Sequence, residues 1–180
     1  FNKNYAQTKP DGTKESWDES IDRIYSMHRN FLISKGYKPE LFDAKLEEAK
    51  KYEKKKYFLS SQRSRQFGSP NFNEGVLANH SKLYNCSYTI IDRPRVFAEV
   101  MYELLCGTGV GCGIYKEDIA KLPIVKKMDS KKTIYSIPDS IEGWAYAIEQ
   151  LFMGVFGGYD VEFDYGQIRA AGELVAGRFK

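Results

Sequence analysis

Two short stretches hold the residue types that could do chemistry: Asn85-Cys86-Ser87-Tyr88, and the run Gly107-Thr108-Gly109-Val110-Gly111-Cys112-Gly113. A thiol can serve as nucleophile, metal ligand or reductant, and a reversible disulfide requires a partner thiol within a few ångströms. Glycines at alternate positions let a backbone approach something closely, whether a ligand or another strand. Free cysteine is also among the most buried and inert residue types. No Cys–His dyad is evident, since His80 lies upstream of Cys86 and His28 is far away. Residue types alone leave both readings of Cys86 open.

The glycines do not match the common phosphate-binding loops. Dinucleotide-binding glycines follow a strand and open a helix, whereas these follow a helical pattern and lead toward Ile114-Tyr115 as if opening a strand. No Gly-Lys-Ser/Thr ending is present, so an ATP-type phosphate loop is missing.

The elements that must position these residues can be traced in order. Ser16-Trp17-Asp18-Glu19 fits a capping box, with Ile21, Ile24, Tyr25, His28, Phe31 and Leu32 on one helical face after it. His28 reads there as a core or boundary residue. A second helix is expected from Pro39, and the lysines of 50–56 read as its solvated face and C-terminal end. Residues 58–70 read as a polar, irregular loop with Arg63 and Arg65 on its surface. Tyr84 to Ile91 reads as a strand, ended by Asp92-Arg93-Pro94, and Val96, Phe97, Val100, Met101, Leu104 and Leu105 form a helical stripe. Thr133 to Ile137 is a short strand. Ser140 begins a strong helix through Trp144, Ile148 and Val155 that ends at Gly157-Gly158, and Val161, Phe163 and Tyr165 alternate in a last strand. The glycine-punctuated residues 167–180 show no element. From residue 84 onward helix and strand alternate, which predicts an α/β sheet or barrel behind a helical N-terminal region.

Bulk properties remove several function classes. The 180 residues are 42% hydrophobic and 28% charged, which suits one soluble domain with a real core. A net charge of +3 without a basic stripe gives no case for nucleic acid or an anionic membrane. No apolar run approaches the roughly 18 residues needed to span a bilayer. Three cysteines without a metal-type pair, and two distant histidines, predict no metal site and a reducing, cytoplasmic setting. Asp118, Asp139, Glu142, Asp160, Glu162 and Asp164 could form acid–base pairs, but charged residues at helix starts and strand ends are the plainer expectation.

Residues 58 to 172 resemble the amino-terminal part of the catalytic subunit of ribonucleotide reductases, most of all the adenosylcobalamin-dependent class II. The segments that carry the likeness are FLSSQRSRQFGS (58–69), LYNCSYTIID (83–92), VFAEVMYELLCGTGVGCGIYKEDIAKLP (96–123) and IPDSIEGWAYAI (137–148), with VEFDYGQIRAAGE (161–173) as a weaker fifth. The resemblance implies a helical region over 1–57, followed over 58–180 by the first part of a ten-stranded α/β barrel.

It further implies reduction of ribonucleotides to deoxyribonucleotides by thiyl-radical chemistry. Cys86 matches the first of the reducing cysteine pair. Ser61, Asn85 and Gly109 match positions that contact substrate. The thiyl cysteine, the second reducing cysteine and the catalytic glutamate lie downstream in the family and are not matched here. Cys106 and Cys112 do not stand in for them and read as structural. The chain is therefore expected to be an amino-terminal fragment or split subunit, inactive alone, needing a C-terminal portion with the thiyl cysteine. Adenosylcobalamin is implied for the complete enzyme, along with a thioredoxin-like thiol reductant and a deoxynucleoside triphosphate effector. A non-catalytic nucleotide-binding or regulatory module derived from a reductase, and the same enzyme with a class I radical source, are the alternatives.

Overall fold

The first helix starts where the capping box puts it. The Ser16 hydroxyl accepts from the Glu19 N–H at 3.2 Å, and the Glu19 carboxylate accepts from the Ser16 N–H at 2.6 Å, satisfying two amides at the start of α1 (Trp17–Ser34). The computed structural model describes residues 1 and 3–173, and the expectation for the end of the chain lies outside them from residue 174 onward. Within the described residues the chain forms two compact units, Phe1–Leu83 and Tyr84–Glu173.

In the first unit, Ile21, Ile24 and Met27 of α1 are buried, and the last two form a core with Val76 against which Phe67 and Leu77 pack. Met27 takes the place on the buried stripe expected for His28, which is exposed. Pro39–Leu41 make a single 3₁₀ turn, and α2 (Asp43–Lys54) begins only after it. Lys51 and Lys54 occupy its last turn, at the negative end of the helix.

The segment expected to be an irregular loop contains α3 (Gln62–Phe67), capped by Ser61. Arg65, expected on the surface, is fully buried. Its guanidinium pairs with the equally buried Glu53 carboxylate and lies 4.1 Å from the centroid of the Trp17 ring. An opposite charge and an aromatic face replace the water it has lost. Arg23 adds hydrogen bonds to the Arg65 carbonyl (2.8 Å) and the Gly68 carbonyl (2.6 Å). A short helix, α4 (Gly75–Ala78), and a 3₁₀ turn, His80–Leu83, complete the unit. Contacts thus group 58–83 with the helical residues before them, whereas the family resemblance starts the barrel at residue 58.

The second unit repeats a strand–helix–strand pattern twice. β1 (Cys86–Ile90), α5 (Val96–Leu105) and β2 (Gly109–Gly113) make one parallel pair. After α6 (Lys116–Ile119), β3 (Lys132–Ser136), α7 (Ile141–Gly157) and β4 (Asp160–Asp164) make the other. A helix between parallel strands is the connection such pairing requires. The glycine run does not lead into a strand as expected: from Gly109 it is the strand. Gly107, at φ 91°, makes the turn, and β1 supplies hydrogen-bond partners beside it. The Ser140 hydroxyl accepts from the Gly143 N–H at 2.9 Å to start α7. α5 and α7 are joined by Phe97 and Phe152, stacked at 3.7 Å and 6°.

Candidate active site

Cys86 is the first residue of β1, and its register partner is Gly109. Further along the pairing, Tyr88 stands beside Gly111 and Ile90 beside Gly113. Side chains alternate along a strand, so Cys86, Tyr88 and Ile90 share one face. On that face β2 offers only glycines. The other face, with Ser87 and Thr89, looks toward α5, where the Ser87 hydroxyl donates to the Glu103 carboxylate.

Two hydrogen bonds tie the start of β2 to the start of β1. The Gly109 N–H donates to the Asn85 carbonyl at 2.9 Å, and the Thr108 hydroxyl donates to the Tyr84 carbonyl at 3.0 Å. The Cys86 thiol is exposed, which removes the buried, inert reading. Cys106 is buried, as a structural thiol should be, whereas Cys112 is exposed and pairs in register with Thr89 on the opposite face.

The glycine face is open at one end and covered at the other. A Cβ at Gly109 would meet only the Asn85 carbonyl oxygen, at 3.6 Å. At Gly111 it would come within 3.2 Å of Tyr88 Cδ2, and at Gly113 within 2.1 Å of the Tyr88 hydroxyl and 2.7 Å of Tyr115 Cε2. The Tyr88 side chain therefore lies over the second half of β2, and its hydroxyl is 2.9 Å from that of Tyr115. This hydrogen bond pushes the Tyr88 phenol above its ordinary pKa, because it stabilises the neutral form.

Asn85, Cys86 and Gly109 are thus brought together. Ser61 belongs to the first unit, where it is exposed and its hydroxyl accepts from the Ser64 N–H at 3.4 Å. The residue before it is held by the buried pair, since the Ser60 N–H donates to Glu53 at 2.8 Å. Tyr115, Glu103 and Glu53 were absent from the residues expected to matter, and Tyr88 entered only as the last residue of the Asn85–Tyr88 stretch. Tyr88 was detectable, being two residues after Cys86 in a strand pattern; Glu53 and Glu103 carry no local signal.

The same arrangement of elements occurs in a solved structure. Over 98% of its length the chain superposes on the crystal structure of a B12-dependent (class II) ribonucleotide reductase, with a TM-score of 0.73 and 21% sequence identity. The chain has the fold of a segment of that reductase. It spans 33% of the reductase's length. No protein-family model matches the chain, and no curated protein matches it. Among the described residues no group of three or more His, Cys, Asp or Glu side chains could hold a metal ion, and no helix is long and apolar enough to cross a membrane.

Proposed function

We propose that this chain provides the amino-terminal part of a ribonucleotide reductase, most like the class II enzymes, and that Cys86 is one of its two reducing cysteines. One observation carries the reading: an exposed thiol opens a strand whose neighbour is bare of side chains on the same face, in a chain with the fold of a reductase segment. A ribose could lie against Gly109 and reach the sulfur, with Asn85 beside it.

The chemistry asked of Cys86 is a two-electron reduction. Two thiols give up two electrons and two protons and become a disulfide; the 2′-hydroxyl of the ribonucleotide leaves as water. The second thiol and the thiyl radical that removes the 3′ hydrogen belong to the complementary portion of the enzyme. An external dithiol protein of the thioredoxin kind then returns the disulfide to thiols. Each of the four strands has a single neighbour among the described residues, and open strand edges favour further pairing. That supports assembly into the ten-stranded barrel with the complementary portion. A deoxynucleoside triphosphate effector and a cytoplasmic setting belong to the same reading, and neither nucleic acid nor membrane has a part in it.

Adenosylcobalamin would generate the radical in the complete enzyme. The two cavities beside α1, of about 130 and 160 Å³, are too small for a corrinoid. No step is assigned to it on this chain.

The test is reconstitution with a chain bearing the missing cysteines, together with ribonucleotide, adenosylcobalamin and dithiol. Deoxyribonucleotide is expected only when both portions are present, and not with Cys86→Ser. Turnover by this chain alone, or an undiminished rate with Cys86→Ser, would overturn the reading. The latter result would favour a non-catalytic, reductase-derived module.

A further inference from the structure

We infer that Tyr88 and Tyr115 form an end wall on the Cys86 face, which limits how far a molecule can extend along the glycine strand beyond the thiol. The inference deepens the reductase reading, for which the molecule is a ribonucleotide, and makes the two tyrosines positioning residues for Cys86.

Alternate glycines at 109, 111 and 113 clear one face of β2 along its whole length, yet only the stretch at Gly109 is left open. The space that side chains of residues 111 and 113 would fill is taken by Tyr88, and at 113 also by Tyr115. Glycine at 111 and 113 therefore makes room for tyrosine rings belonging to the protein, while glycine at 109 makes room next to Cys86. The two kinds of glycine have different jobs on one strand.

The wall is held at its tip. Tyr115 follows Gly113 by two residues in extended backbone (φ −111°, ψ 144°), so its side chain returns to the same face and meets the Tyr88 hydroxyl at 2.9 Å. Each ring retains considerable exposure, 60% for Tyr88 and 51% for Tyr115. The pair borders an open space and is not part of a core. A ligand seated at Cys86 and Gly109 would meet the edge of Tyr88 as its next neighbour along the strand.

The experiment uses the 180-residue chain and two reagents with one chemistry and different sizes, iodoacetamide and its fluorescein conjugate. Alkylation is followed at each cysteine by peptide mapping. Cys112, on the other face, serves as the accessibility control, and buried Cys106 reports any loss of folding. In Tyr88→Ala the large reagent should react several-fold faster at Cys86, while the rates for iodoacetamide at Cys86 and for both reagents at Cys112 stay unchanged. Tyr88→Phe and Tyr115→Phe, which keep the rings and lose only the hydroxyl contact, should show a smaller rise of the same kind. Should Tyr88→Ala expose Cys106, the two phenylalanine variants decide the matter. Equal acceleration of both reagents, or no change with the large one, overturns the wall. No nucleotide enters this assay, so its failure leaves the reductase reading standing. A reconstituted enzyme without turnover would remove that reading and leave the wall.

Discussion

Gly109 stands directly beside Cys86 in the parallel pairing of β1 and β2, and its N–H is bound by the carbonyl of Asn85, the residue before the cysteine. The strand carrying the thiol and the neighbouring strand, bare of side chains on that face, are thereby held together at the same end.

Gly109→Ala separates that role from folding. The added methyl would meet its nearest atom at 3.6 Å, an ordinary contact, and alanine costs less backbone entropy than glycine in a strand. Stability should hold or rise by about 0.5–1 kcal/mol. Under the proposed function, turnover by the reconstituted two-part enzyme should nonetheless fall, because the methyl occupies the space beside the sulfur. Thermal melts and kcat/KM measured together provide the check; unimpaired kcat/KM would remove Gly109 from the site.

Gly143→Ala should act in the opposite sense, despite the better helix propensity of alanine. A Cβ there would sit 2.1 Å from the Pro138 carbonyl oxygen, a backbone atom that can move only with the turn that starts α7. The expected loss is about 1–3 kcal/mol, as for other overpacked positions. Denaturant unfolding measures it, and a neutral result would mean that the turn yields freely.

The Glu53–Arg65 pair calls for a double-mutant cycle. Either Glu53→Leu or Arg65→Met leaves the other charge buried without its partner, at a cost of about 3–5 kcal/mol. Arg65 already has two guanidinium nitrogens, Nε and Nη1, without a hydrogen-bond partner. Glu53→Leu combined with Arg65→Met should therefore cost less than either single change. Additive losses would show that the two charges do not depend on each other.

Alkaline pH should reveal Tyr25. Burial, then the Glu53 carboxylate, push its phenol from 10.0 up to about 12. Because the folded-state value is the higher one, its contribution to stability is complete below pH 10 and is lost as pH rises through 12. Tyr25→Phe should weaken this alkaline dependence of the denaturation midpoint. Identical slopes for the two proteins would exclude the effect.

Local patterns were legible because their partners lie within a turn or two of the chain. Ser16 with Glu19, Ser140 with Gly143, and the α5 stripe are fixed by spacings of three and four residues. The strand containing Cys86 and the helix after it could be read in the same way. Arg65 could not: it looked like a surface residue, and only Glu53 and Trp17, far away in sequence, explain its burial. His28 lost its expected place to Met27 for a similar reason, since α1 alone does not say which residues α3 and α4 will cover.

Within the candidate site the division is the same. The sequence by itself determined that a cysteine lies near the start of a strand, that alternate glycines follow a helix, and which family these segments resemble. Only the tertiary structure decided that the glycines are themselves the neighbouring strand, that Cys86 is exposed on their bare face, and that Tyr88 and Tyr115 close its far end. Strand pairing joins residues more than twenty positions apart, and the register between them depends on how the intervening helix packs.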